Sequence, residues 1–246
     1  MTQTYLLALI VIAVAACLQA SLGFGFALTT MALLPFLFEY SRALAMTQII
    51  GIVSSIYLAV RYRRFIRFDV LLPFLIPTLI VQMFTTIYSV KAPGQSLFIL
   101  LGVVLIGFSL WFLAFSEKIR FKPTRKVGVT AGLVCGVTSG LFSIGGPPAA
   151  LYLLPALNDK NQYQATMQAF FVIISIESLT IRILMGSLSV SDIPFIAAGW
   201  GAMLAGTLVG IVLFDRIRTP ILKKAVYVLV GLNGLWIVIS RFIRPL

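Results

Sequence analysis

The sequence predicts an all-α polytopic membrane protein made of two repeats of about 120 residues, each a broken helical segment followed by three transmembrane helices. Three observations predict it. The first is composition: 60% of the 246 residues are hydrophobic, only 11% are charged, and the mean hydropathy is +1.06. A soluble domain carries about 25% charged residues. The second is the stretch from Gly140 to Pro155, where Gly145-Gly146-Pro147-Pro148 interrupts an apolar run that extends from Val127 to Leu157. The third is that the chain matches itself at an offset of 120 residues.

The break is dictated by covalent geometry. Pro147 and Pro148 have no backbone N–H and disfavour helical geometry in the residue before them, yet proline suits the first turn of a new helix. The expectation is a half-helix ending near Ile144, a glycine hinge, and a second half-helix from Pro147. In lipid such a break survives only where protein buries it or where it lines a cavity.

Taken in order, Tyr5–Phe38 is apolar with an interruption at Gly23-Phe24-Gly25. Met1 to Ala20 ends in small residues, but Met1–Tyr5 lacks the Lys or Arg of a signal peptide, so the segment is counted as part of the fold. Ala43–Val60, Val70–Val90 and Ser96–Phe115 are each long enough to cross a bilayer. Val127–Leu157 is the second broken run, and Tyr163–Met185, Ile193–Phe214 and Ile221–Ile239 complete the set. The polar connectors between spans are short. Residues 1–116 read as the first membrane repeat, 117–126 as a cytoplasmic connector and 127–246 as the second repeat, together one transmembrane domain.

The offset of 120 places Leu34-Pro35 on Leu154-Pro155, Gly25 on Gly145, Ala45 on Ala165 and Gln48 on Gln168. Charge then sets topology. If each broken segment dips in and returns as a hairpin, 14 of the 19 basic residues fall on one side and 5 on the other. A single crossing by each segment gives a poorer split of 12 against 7. The hairpin therefore fits the positive-inside rule better. Length agrees, since thirty-odd residues of straight helix span about 45–50 Å against a hydrocarbon core of about 30 Å. Three crossings per repeat would leave the halves inverted relative to each other.

The net charge of +12 sits in short clusters between apolar runs, which is a membrane pattern and not a nucleic-acid face. There is no His, and Cys17 and Cys135 stand alone in apolar segments, so a zinc site, a Cys/His nucleophile pair and a haem axial His are unsupported. The sequence predicts no cofactor, no metal and no enzymatic activity. A membrane enzyme would need a catalytic set that these residues do not supply.

Half-helix N-termini present unpaired N–H groups and the positive end of the dipole. Starting near Phe26 and Pro147, at the hinges Gly25 and Gly145-Gly146, two such ends would suit an anion without a buried Lys or Arg. Ala149 and Ala150 would supply N–H groups that Pro147 cannot. Gln48 and Gln168 are amides in apolar spans and can donate to an oxyanion. Gln19, Ser21, Thr29, Thr30, Thr138, Ser139 and Ser143 lie near the breaks. The plainer alternative is that the hydroxyls bond back to their own helices and the glutamines join helices together. Glu177 is the carboxylate deepest in a predicted span. It either carries a coupled proton or pairs structurally with Arg182 or a tyrosine; Tyr57 occupies its place in the first half. Asn233 reads as helix–helix glue, and Trp111, Trp200 and Trp236 as interface anchors or packing.

The breaks at Leu22-Gly23-Phe24-Gly25-Phe26 and at Gly140 to Pro148 resemble those of the TauE/SafE sulfite exporter family, and the resemblance covers nearly the whole chain. The repeated Gln48 and Gln168 and the length fit it; Phe26 stands where the family more often has glycine. The resemblance implies a secondary transporter of sulfite, organosulfonates or related small organic anions in the bacterial inner membrane. Its partners would be the anion, a coupled proton or cation and the lipid bilayer. The alternatives are a carrier of another small metabolite or cation, and a non-transporting accessory membrane protein.

Overall fold

The computed structural model describes residues 2–31, 33–115, 124–157 and 159–216. They form α1 (Thr2–Leu22), α2 (Phe26–Met31), α3 (Tyr40–Arg61), α4 (Phe68–Lys91), α5 (Gly94–Phe115), α6 (Arg125–Phe142), α7 (Gly146–Ala156), α8 (Lys160–Leu184) and α9 (Ile193–Arg216). Short 3-10 turns at Leu34–Phe36, Arg63–Phe65 and Val190–Asp192 join them, and no strand occurs among the described residues. Five helical spans are long and apolar enough to cross a membrane, Tyr5–Leu22, Tyr40–Arg61, Phe68–Lys91, Lys160–Leu184 and Val190–Arg216. The chain is a multi-pass helical membrane protein. The expected span Ile221–Ile239, most of the connector 117–126, Asn233, Trp236 and the Trp111 side chain lie outside the described residues.

Both expected breaks are present. α1 stops at Leu22 and α2 starts at Phe26; α6 stops at Phe142, two residues before the expected end, and α7 starts at Gly146. Ser143 closes α6 in the left-handed region, with φ of 58°. That turn closes on itself: Ser143 N–H returns to Ser139 O and Ile144 N–H to Thr138 O.

Helix packing follows the small residues. α4 packs along α6, α1 along α9, and α3 along α8. α6 carries Gly128, Gly132, Gly136 and Gly140 at four-residue spacing, one stripe down one face. A Cβ at Gly136 would lie 2.7 Å from Thr78 O on α4, so only glycine permits this approach. Thr78 and Thr85 use it to donate to the carbonyls of Gly132 and Gly136 at 3.1 and 3.0 Å. On the other flank, a Cβ at Gly210 of α9 would lie 2.7 Å from the Ala20 Cβ of α1.

The ends of the broken segments are fixed by aromatic contacts. Tyr5 near the start of α1 and Phe38 just before α3 have ring centroids 6.3 Å apart, and both rings pack on Phe195. At the other end of the bundle, Gly128 near the start of α6 faces the hydroxyl of Tyr152 late in α7. Tyr152 O–H also reaches Val70 O, near the start of α4, at 3.4 Å. Lys160 caps α9 there, donating to the carbonyls of Phe214 and Asp215 at 3.1 and 3.2 Å.

Candidate functional site

The two breaks meet at the middle of the bundle. A Cβ on Gly146 would lie 2.6 Å from the ring of Phe24, so the first turn of α7 rests directly on the first break. Gly25 holds φ of 123°, a conformation that a side chain would strain. Between the breaks lies a cavity lined by residues of α1, α2, α3, α4, α6, α7 and α8. Its volume is about 50 Å³, room for a few waters or a compact anion. Among the described residues, none that lines it is charged.

Of the expected site residues, Gln19, Gly25, Phe26, Gln48, Ser139, Ser143, Gly146 and Pro147 line the cavity. Gly145 and Gln168 do not; they stand one layer behind. Gly145 turns its carbonyl to Ala149 N–H and the Cys135 thiol. Gln168 donates to Gly23 O at 2.9 Å and accepts from Gln19 Nε2 at 3.3 Å. It therefore holds the first break in place. Gln48 donates through Nε2 to Ser143 Oγ at 2.9 Å and to Ser178 Oγ at 2.8 Å, while its buried Oε1 has no partner among the described residues.

The hydroxyls divide between two roles. Ser21, Thr30 and Thr138 bond back to carbonyls of their own helices. Ser139 and Ser143 line the cavity, and the buried Thr29 hydroxyl has no partner among the described residues. One expectation is corrected, and one of the alternatives for Glu177 is set aside. Ala149 does not offer its N–H to the site, because α7 begins early enough for that group to close on Gly145 O at 3.1 Å. With Pro147 and Pro148 lacking N–H groups, Gly146 is the donor left at the start of α7. Glu177 and Arg182 also form no pair. Glu177 Oε2 accepts from Gln82 Nε2 at 3.1 Å, and Arg182 Nη2 donates to Ser89 Oγ and Gly140 O, each at 2.9 Å. The two side chains sit five residues apart, which sends them to different faces of α8. Trp200 donates to Ile49 O at 2.8 Å and so ties α9 to α3.

The half-helix carbonyl ends are satisfied by side chains of neighbouring helices. At the end of α1, Tyr163 O–H donates to Leu22 O, Gln164 to Ala20 O and Gln168 to Gly23 O. At the end of α6, Tyr40 O–H donates to Leu141 O and Arg182 to Gly140 O. Buried carbonyls left open would each cost about 1–3 kcal/mol. Capping them from outside leaves the cavity to the opposite, N–H-bearing ends.

Sequence reasoning missed Gln82, Ser55, Ser175, Phe24 and Phe171, all of which line the cavity. Gln82 is an amide in an apolar span, the same signal that singled out Gln48. Ser55 and Ser175 stand 120 residues apart, as do Gln19 and Ser139, Phe26 and Gly146, and Gly51 and Phe171. The last two pairs exchange size. Phe26 lies on Gly51, where a Cβ would come within 2.9 Å of its ring. In the second half the small residue is Gly146 and the large one Phe171.

No curated protein and no solved structure matches the chain significantly. The model of one family does, over residues 7–237. That match, spanning both breaks and the cavity between them, places the chain in the sulfite exporter TauE/SafE family, whose members are membrane transporters and not enzymes.

Proposed function

We propose that the chain carries a small sulfur oxyanion, sulfite or a compact organosulfonate or related anion, through the neutral cavity where the two breaks meet. The single observation that carries this reading is the lining of that cavity. Residues 120 apart in the two halves meet across it, and they present hydroxyls, amides and backbone N–H groups without a fixed charge. A site of this kind holds an anion by donors and releases it readily, because no Lys or Arg binds it as a permanent partner.

The donors can be named. Ser55 and Ser143 each accept a hydrogen bond from a glutamine, Gln19 at 2.9 Å and Gln48 at 2.9 Å. With their oxygens so engaged, both hydroxyl protons are free for the anion, and the chain of bonds strengthens each donor. Gln48 acts through Ser143, holding its oxygen so that the hydroxyl proton is left for the anion. α2 has only six residues and a weak dipole, so the eleven-residue α7 supplies the stronger N-terminal field.

Several observations support two inverted repeats with re-entrant breaks, residues 1–116 and 127–246 on either side of 117–126. The partner pairs α1 with α9 and α6 with α4 are equivalent under an exchange of halves. The Tyr5–Phe38 and Gly128–Tyr152 contacts bring each broken segment back to the end of the bundle where it began. Among the described residues the basic clusters Arg61, Arg63, Arg64, Arg67 and Arg125, Lys126 lie toward the Tyr152 end, which supports that end as the cytoplasmic one in a bacterial inner membrane. Glu177 reaches the cavity through Gln82 and is the residue we assign to a coupled proton.

The test is flux of labelled sulfite into liposomes holding the purified chain. Flux that competing sulfonates reduce and that Ser143→Ala slows at least tenfold agrees with the proposal. Absence of flux in the wild type, or flux indifferent to Ser143, contradicts it.

A further inference from the structure

Arg182 has no part in the cavity, and its surroundings do not account for its charge. It lies in α8, is 0% exposed, and keeps its positive charge at any ordinary pH. Among the described residues no carboxylate pairs with it. Nη2 is engaged by Ser89 and Gly140, while Nε and Nη1 have no partner among the described residues. A buried charge with unused donors is costly and is retained in membrane spans for function. Capping α6 does not require it, since the carbonyls ending α1 are satisfied by the neutral donors Tyr163, Gln164 and Gln168.

Its position is informative. One turn before Arg182 on α8, Ser178 accepts from Gln48 and lies 3.3 Å from Thr86 Oγ1 of α4. One turn after Thr86 on α4 comes Ser89, which holds Arg182. On the far side, Tyr40 donates to Leu141 O, next to the carbonyl that Arg182 holds, and Tyr40 also lines a second cavity with Glu39, Gly94 and Gln95. That cavity opens at the end of the bundle where α3 begins. Arg182 thus stands between the central cavity and an outer mouth, linked to the first through Gln48, the Ser178 and Thr86 hydroxyls, and Ser89, whose hydroxyl donates to the Thr86 carbonyl at 2.9 Å.

We infer that Arg182 is a second anion-binding site, a staging point for the same class of small oxyanion between the central cavity and the outer mouth. The inference rests on the transport reading above. An oxyanion there supplies the missing counter-charge and accepts from the unused Nε and Nη1 donors, the charge-assisted geometry that guanidinium favours. Tyr40 separates this site from the mouth.

Equilibrium dialysis of the purified full chain against radiolabelled sulfite tests it. The wild type is expected to bind two anions per chain and Arg182→Gln one, with the remaining one weakened roughly fivefold or more on adding Gln48→Ala. Arg182→Lys keeps a charge in the bundle and serves where the glutamine variant does not fold; it is expected to weaken the second site at least tenfold. One anion per wild-type chain, or two with unchanged affinity in the Arg182 variants, overturns the second site and leaves the transport reading standing. No binding by the wild type overturns both.

Discussion

Gln48 reaches from α3 across the bundle to Ser143, donating its amide to the hydroxyl that ends α6 at 2.9 Å. Gln168 makes the same reach in the opposite direction, to Gly23 O at the end of α1. Donors at 48 and 168 and acceptors at 23 and 143 are all related by the one offset of 120. Each half therefore fixes the break of the other. The two glutamines still differ in what they leave over, because Gln48 lines the cavity and Gln168 does not.

Gln48→Ala should weaken sulfite binding by about 1–3 kcal/mol, roughly fivefold to 150-fold in Kd, with little loss of stability. It removes two donors but also removes a buried oxygen that has no partner. The sulfite dependence of the melting temperature measures both quantities on one sample.

Gln168→Ala should behave in the opposite way. It leaves the buried Gly23 carbonyl without its donor and should cost about 1–3 kcal/mol of stability. The melting temperature without ligand should fall, while sulfite affinity in the folded fraction changes less than in Gln48→Ala.

The size exchange between halves predicts coupled substitutions. Gly51→Phe alone should be destabilising, since even a Cβ there meets the Phe26 ring at 2.9 Å. Phe26→Gly with Gly51→Phe, which gives the first half the arrangement of the second, should recover at least about 1 kcal/mol of that loss. Thermal unfolding of the two singles and the double completes the cycle.

Glu177→Gln should uncouple the carrier. Liposomes should retain sulfite exchange at equal concentrations on both sides and lose accumulation driven by an imposed pH gradient. Unaltered accumulation would remove Glu177 from coupling.

The fold was legible where covalent geometry speaks directly. Gly145-Gly146-Pro147-Pro148 and Gly23-Phe24-Gly25 stop helices whatever surrounds them, and both breaks lie within two residues of their expected places. The direction of polar side chains was not legible. Gln168 and Gln48 look alike in sequence, yet which of them faces the cavity depends on helix rotation against distant neighbours. The expected role of Ala149 failed for a local reason, because α7 starts at Gly146 and closes its own first turn. Glu177 and Arg182 lie close along the chain, but α4 supplies both with other partners, Gln82 and Ser89. Phe26 and Gly51 were readable only as a pair with Gly146 and Phe171, a compensation visible once the two halves face each other.

The central claim is that a small oxyanion binds in the uncharged cavity between the breaks. The most direct test is the melting temperature of the purified chain with sulfite, taurine, sulfoacetate, carboxylates and neutral amino acids, repeated on Gln48→Ala and Ser143→Ala. Ligands that bind the native state raise it by mass action. The account predicts a rise with sulfur oxyanions that both variants diminish. A rise confined to neutral or cationic compounds, or one with sulfite that both variants keep in full, would contradict it.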